Sequence, residues 1–148
     1  MNTKRLFLFI CSLFCFILVQ ADTDKFFGSN NQLSNSHVNH IYQDKKGYIW
    51  ICTENGLNVF NGIDFNTFTH IANDSTSLAN NSVLSVLEDK KGRFWVGTTD
   101  GVQILDRETG KFQKVNLSYR NITNFSYIKC ITEDSKGNVW LSTNRSGI

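Results

Sequence analysis

A seven-residue segment occurs three times in the chain, always at the same spacing. It reads "DKKGYIW" at residues 44–50, "DKKGRFW" at 89–95 and "DSKGNVW" at 134–140. Each copy ends in one of the three tryptophans of the sequence, and successive copies begin 45 residues apart. A fixed period of about 20–50 residues is the signature of a repeat protein, in which each repeat is one supersecondary unit. The spacing therefore predicts a row or ring of similar units.

Each copy of the segment reads as a β-hairpin. The Asp44 side chain is suited to accept hydrogen bonds from nearby backbone N–H groups, and Gly47 can take the positive φ angle that closes the turn. The strand that follows, "YIWICT" in the first copy, is apolar on both faces and is predicted to lie between two sheets. A second turn is predicted at Asn55-Gly56 and again at Asp100-Gly101. The residues assigned to this repeated framework are Asp44, Gly47, Trp50, Gly56, Asp89, Gly92, Trp95, Gly101, Asp134, Gly137 and Trp140.

Four short antiparallel strands within one repeat form a blade of a β-propeller. We predict an all-β fold, a partial β-propeller built of four-stranded antiparallel blades, in which each tryptophan packs between neighbouring blades. Blade 1 is assigned to residues 33–77, blade 2 to 78–122 and an incomplete blade 3 to 123–148. A closed ring needs about four to eight blades. We therefore expect a fragment or truncated product of a longer protein, insoluble or oligomeric when residues 22–148 are expressed alone.

The first 21 residues have the pattern of a secretory signal peptide. Lys4 and Arg5 precede an apolar run that ends at Val19, and Ala21 completes a small-x-small cleavage site. The alternative is an uncleaved membrane anchor. Cleavage would remove two of the 15 basic residues and leave a chain with 13 basic and 13 acidic residues. We therefore predict an exported protein whose charge gives no indication of nucleic-acid binding.

The repeated pattern D-x-x-G-x-[IFV]-W-[IVL]-x-T-x-x-G-[LV], with one extra residue before Gly147 in the third copy, resembles the two-component regulator propeller repeat. The lead-in that begins at Phe26-Phe27 is similar to the start of the periplasmic sensor of Bacteroidetes-type hybrid two-component systems. The resemblance implies that residues 22–32 form a lead-in strand that closes the ring. It also implies an oligosaccharide ligand, and partner modules in further sequence: more blades, a membrane helix, a histidine kinase and receiver domains. Contact with the membrane would come only through that further sequence.

Residues that recur in every blade are poor candidates for chemistry, because a reaction needs its groups once. This excludes Glu88, Glu133 and the aspartates of the three turns from a catalytic carboxylate pair. His37 and His40 are three residues apart in a predicted strand, which places them on opposite faces and argues against a metal site. We predict no catalytic residue, no metal ligand and no cofactor, and we predict that the chain itself is not an enzyme.

Polar and aromatic residues that are not repeated remain as candidates for ligand contacts at the edges of the blades. These are Tyr42, Glu54, Tyr119, Arg120 and Arg145. The alternative for each is an ordinary surface side chain. The function predicted for the chain is that of the N-terminal part of an extracytoplasmic, periplasmic sensor in a hybrid two-component system. The alternatives are a secreted propeller enzyme that acts on polysaccharide and a propeller scaffold for protein–protein interaction.

Overall fold

A computed structural model describes residues 32–118 and 125–144, and every regular element in these ranges is a β-strand. The predicted signal peptide and residues 22–31 of the predicted lead-in lie outside the described residues. Blade 1 consists of β1 (Val38–Gln43), β2 (Ile49–Thr53), β3 (Gly56–Phe60) and β4 (Phe65–Phe68). Blade 2 consists of β5 (Val83–Glu88), β6 (Phe94–Thr98), β7 (Gly101–Asp106) and β8 (Lys111–Lys114), and blade 3 contributes β9 (Ile128–Glu133) and β10 (Val139–Thr143).

The three sheets are antiparallel meanders that stand side by side. Strands pair in chain order within each sheet, so that blades 1 and 2 each have four strands with neighbours joined by short turns. The first strands of successive blades contact one another, β1 with β5 and β5 with β9. The second strand of each blade also packs on the first strand of the next, β2 on β5 and β6 on β9. This arrangement confirms the predicted fold class of propeller blades.

The turn between the first two strands has the geometry that its sequence predicts. Asp44 Oδ1 accepts hydrogen bonds from the backbone N–H groups of Lys46 and Tyr48, both at 2.9 Å. Gly47 has a φ angle of +88°, in the left-handed region where a side chain would strain the backbone. Asp89 and Asp134 form the same pair of bonds in the other two blades.

The second carboxylate oxygen of each turn aspartate binds the tryptophan that ends the repeated segment. The indole Nε1–H of Trp50 donates to Asp44 Oδ2 at 2.9 Å, and the corresponding distances in blades 2 and 3 are 2.9 and 3.1 Å. A buried indole N–H needs such a partner. The turn and the tryptophan are therefore one hydrogen-bonded unit in each blade, which we call the Asp–Trp clamp.

The core lies between the blades. Trp50 is 3% exposed, and its ring centroid lies 4.3 Å from that of Phe94 in blade 2. Trp95 belongs to a second cluster with Ile128 and Ile131 of blade 3. Blade 3 comes so close to β6 that a Cβ atom on Gly97 would lie 2.8 Å from the Ile128 side chain. The two interfaces, called junction 1–2 and junction 2–3 below, thus hold the described blades together.

A buried polar side chain on the third strand fixes the segment that enters each complete blade. Asn58 Oδ1 accepts the backbone N–H of Ser34 at 3.0 Å. Gln103 Oε1 accepts the backbone N–H of Ala79 at 2.7 Å. Asn58 and Gln103 are 45 residues apart, so the anchoring device repeats with the blades although its residue type changes.

Candidate functional site

A lysine contact joins each turn to the next blade. The backbone N–H of Lys45 donates to Glu88 Oε2 at 3.0 Å, and its Nζ donates to the carbonyl oxygen of Asp89 at 2.7 Å. Lys90 makes the same two contacts with Glu133 and Asp134 at 3.0 and 2.9 Å. The repeated glutamates therefore accept hydrogen bonds between blades, a role that the sequence reasoning did not assign to them.

Arg107 adds a second connection, and it does so at junction 1–2. Its Nη1 donates to Asp44 Oδ2 at 3.0 Å, its Nη2 donates to Glu88 Oε1 at 2.9 Å, and the guanidinium carbon lies 5.3 Å from the ring centroid of Phe94. The arginine side chain is 19% exposed and the Asp44 side chain is fully buried. Charge-assisted hydrogen bonds of this kind are stronger than neutral ones.

The charges around Arg107 keep both acids ionised. Burial opposes the ionisation of Asp44, but hydrogen bonds from Trp50 and the turn backbone, together with the Arg107 charge, hold its pKa below the usual value. Burial also opposes the ionisation of Glu88, and the Lys45 N–H and Arg107 hold its pKa below the usual value. Neither acid is therefore poised to donate a proton near neutral pH, which leaves this cluster a structural role.

The residue type at position 48 explains why the turn aspartate of blade 1 binds an arginine of blade 2. At the equivalent position Arg93 donates its Nε to Asp89 Oδ2 at 2.6 Å, and Asn138 donates its Nδ2 to Asp134 Oδ2 at 2.8 Å. The Tyr48 side chain makes no hydrogen bond to Asp44. Arg107 instead supplies the second donor to Asp44 Oδ2, beside the indole of Trp50. The β3–β4 and β7–β8 connections each have four residues, and Arg107 is the first residue of the β7–β8 connection.

A groove of about 350 Å³ opens beside this cluster, on the turn end of blade 1. Arg107 is the lining residue that comes from blade 2. The other lining residues are Asp44, Lys46, Tyr48, Trp50, Val59, Asn61, Asp64, Phe65, Asn66 and Phe68. Tyr48 is 40% exposed, and the side chains of Lys46, Asp64 and Asn66 make no hydrogen bond or ion pair with other described residues. The groove thus combines an exposed aromatic residue with an ammonium, a carboxylate and an amide group that have no partner among the described residues.

The sequence-predicted site residues Tyr42 and Glu54 lie at opposite ends of junction 1–2. The Tyr42 hydroxyl accepts the Glu88 N–H at 3.2 Å and donates to the Glu88 carbonyl at 3.4 Å. Glu54 accepts hydrogen bonds from Ser82 Oγ at 2.7 Å and Asn39 Nδ2 at 3.0 Å, which hold its pKa below the usual value. Both side chains therefore connect blade 1 to blade 2, and neither lines the groove.

Three of the predicted contacts, Tyr119, Arg120 and Arg145, lie outside the described residues. Sequence reasoning missed the groove because its residues are separated in the chain and because Arg107 reaches it from another blade. The signal that could have found it was the loss of repeat symmetry at Tyr48 and at Arg107, whose counterparts 45 residues away are Arg93 and Gly62.

The described residues contain no group of three His, Cys, Asp or Glu side chains placed to hold a metal ion. They also contain no helix of the length and apolarity needed to cross a bilayer. Cys52 is a buried free thiol, and burial raises its pKa to about 12.

Comparison with known proteins gives a family match that repeats with the blades. The model of the two component regulator propeller family matches residues 32–55, 77–100 and 123–145. The comparison with curated proteins found no match to the sequence.

Solved structures of Bacteroides proteins are similar to the chain. The extracellular domain of BT3049 from B. thetaiotaomicron, described as a hybrid two component system, is 29% identical with a TM-score of 0.68 over 80% of this chain. The extracellular domain of BT4673 from the same organism, described as a one component system, is 26% identical with a TM-score of 0.60 over 72% of this chain. A second structure of BT4673, described as a hybrid two component system, is 28% identical with a TM-score of 0.58. The chain spans only 17% of the first structure and 15% of the other two.

Proposed function

The chain belongs to the two component regulator propeller family, and we propose from this that it is the N-terminal part of the extracytoplasmic sensor of a hybrid two-component system. The observation that carries the proposal is the agreement between three family matches, one per blade, and three antiparallel sheets whose strands pair in chain order. The extracellular position of the similar domains supports export of this chain to the periplasm. Its partners in this role are further blades and the kinase and receiver modules of a longer protein.

We propose that the sensor binds an oligosaccharide and that the groove beside Arg107 contributes to that binding. Sugar rings present C–H faces that pack on aromatic surface, and their hydroxyl groups pair with carboxylate, amide and ammonium groups. The groove offers the exposed Tyr48 ring next to the free side chains of Asp64 and Asn66. The edge residues Tyr42, Glu54, Tyr119, Arg120 and Arg145 stay as predicted contacts elsewhere on the ligand.

Calorimetric titration of the complete ectodomain with oligosaccharides released from polysaccharides tests this proposal. Lys46→Ala and Tyr48→Ala are expected to weaken binding by about tenfold or more, because each removes one groove contact of about 1.4 kcal/mol. Lys91→Ala is the matched control, since Lys91 occupies the Lys46 position in blade 2 and does not line the groove. Binding that is equally affected by Lys46→Ala and Lys91→Ala would contradict the role of the groove.

The alternative of a secreted polysaccharide-degrading enzyme predicts a different outcome of the same titration. The turn aspartates of the described residues are held by their own blades, and Asp44 and Glu88 are further paired with Arg107. We therefore expect the oligosaccharides to be recovered unchanged after incubation with the ectodomain. Shortened products, detected by chromatography, would support the enzyme instead.

A further inference from the structure

His40 makes a hydrogen bond across junction 1–2 that has no counterpart at junction 2–3. The backbone N–H of Val86, on β5, donates to His40 Nδ1 at 3.3 Å. The positions equivalent to His40 in the other blades are Ser85 and Cys130. Ser85 Oγ is buried and has no hydrogen-bond partner among the described residues. Junction 1–2 therefore contains a titratable acceptor where junction 2–3 contains a hydroxyl that does not titrate.

The direction of this bond requires a neutral imidazole with its proton on Nε2. A second proton would sit on Nδ1 and point at the Val86 N–H, so that two donors would face each other. Burial of the partly buried ring also disfavours its charged form and lowers the pKa of His40. Charging His40 therefore costs both the hydrogen bond and the desolvation of the cation.

The groups around His40 offer it no free carboxylate. Cys52 is its partner on β2, and that thiol is neutral because burial raises its pKa to about 12. Tyr42 on the same strand has its ring 6.4 Å away and its hydroxyl bonded to the backbone of Glu88. The Glu88 carboxylate on β5 is held by Arg107 and the Lys45 N–H.

We propose that His40 makes junction 1–2 sensitive to mild acid, so that β1 and β5 separate more easily as the pH falls while junction 2–3 stays unchanged. The sign follows from linkage. A histidine that is harder to protonate in the folded state contributes stability above its unfolded value, and that contribution is lost as the pH falls through about 6.5. In the periplasm, a fall in pH would then weaken the packing between the two blades beside the groove.

His70 differs from His40 in the direction of its hydrogen bond. Its Nδ1 lies 2.8 Å from the carbonyl oxygen of Leu78, so that this nitrogen must carry a proton to form the bond. A second proton goes to Nε2 and leaves the bond intact. A pH effect specific to His40 is thus distinguishable from a general effect of histidine protonation.

Hydrogen exchange of the complete ectodomain, at about pH 7.5 and about pH 5 and corrected for intrinsic exchange rates, tests the proposal. Peptides that cover β5 are expected to exchange about threefold to tenfold faster in acid, and peptides that cover β9 are expected to show no difference. His40→Gln keeps an acceptor without titrating and should remove the difference, whereas His70→Gln should retain it. Equal responses of β5 and β9, or a difference that persists in His40→Gln, would overturn the proposal.

Nuclear magnetic resonance titration of the unsubstituted protein provides a measurement that does not depend on the folding of a variant. The His40 ring is expected to be the Nε2–H tautomer near neutral pH and to titrate with a midpoint below about 6.5. A midpoint at or above that value, or a proton on Nδ1 at neutral pH, would overturn the proposal.

Discussion

Trp50 and Trp140 occupy the same position of the repeat but lie in opposite environments. Both donate their indole N–H to the aspartate of their own turn. Trp50 is covered by Phe94 of blade 2 and is 3% exposed, whereas Trp140 is 49% exposed, with no described sheet against it. In blade 3, hydrogen bonds from Asn138 and Trp140 still lower the pKa of Asp134 to about 2. The Asp–Trp clamp is therefore local to each blade, while the burial of its indole comes from the neighbouring blade.

The largest expected effect is that of removing a covered indole. Trp50→Ala should destabilise the ectodomain by about 3–5 kcal/mol, because it leaves a cavity at junction 1–2. Trp140→Ala should cost about 1 kcal/mol or less if no further blade covers its half-exposed indole. Urea unfolding measures both values. In the longer ectodomain the two losses should become similar if another blade packs on Trp140, and a persistently small loss there would show that none does.

The close approach of blades 2 and 3 is tested at Gly97. Gly97→Ala should destabilise the protein by about 1–3 kcal/mol, because its new Cβ would meet Ile128 atoms at 2.8 and 2.9 Å. Ser142→Ala, at the equivalent position of blade 3, is the control and should change the free energy of unfolding by about 0.5 kcal/mol or less. A neutral Gly97→Ala would mean that junction 2–3 is looser than described.

The Arg107 connection distinguishes junction 1–2 from junction 2–3. Arg107→Ala should cost about 1–3 kcal/mol, because Asp44 and Glu88 lose a shared charged donor at a largely buried position. Tyr48→Arg should recover part of this loss in the double variant, since Arg93 supplies the same bond within blade 2. Thermal unfolding of the single and double variants measures the recovery. If the free-energy changes of Arg107→Ala and Tyr48→Arg were additive in the double variant, Tyr48→Arg would not be replacing the donor that Arg107→Ala removes.

The lysine contacts should have the smallest effects, and these should be similar at the two junctions. Lys45→Ala removes one hydrogen bond from Nζ to a backbone carbonyl, and Lys90→Ala removes two, to Asp134 and Ser135. Each should cost about 0.5–1.5 kcal/mol. Urea unfolding of the two variants side by side measures this. A much larger loss for one lysine would mean that the junctions do not share this contact.

The blade could be predicted from the sequence because it depends on local interactions. The turn aspartates and Gly47 act on backbone within a few residues of themselves, and the continuous run of apolar residues in β2 specifies burial on both faces. The groove could not be predicted, because Arg107 and Asp44 are 63 residues apart and meet only after two blades pack. The bond between Asp44 and Trp50 was also missed, since the two residues were assigned separate roles as turn former and packing anchor.

The central claim is that each blade buries the indole of the blade before it, and a double-mutant cycle between Trp50 and Phe94 tests this most directly. The two rings lie 4.3 Å apart across junction 1–2, although 44 residues separate them in the chain. We predict a coupling free energy of about 0.5–1.5 kcal/mol between Trp50→Ala and Phe94→Ala, and none between Trp140→Ala and Phe94→Ala. Strictly additive effects of Trp50→Ala and Phe94→Ala would contradict the side-by-side packing of the blades.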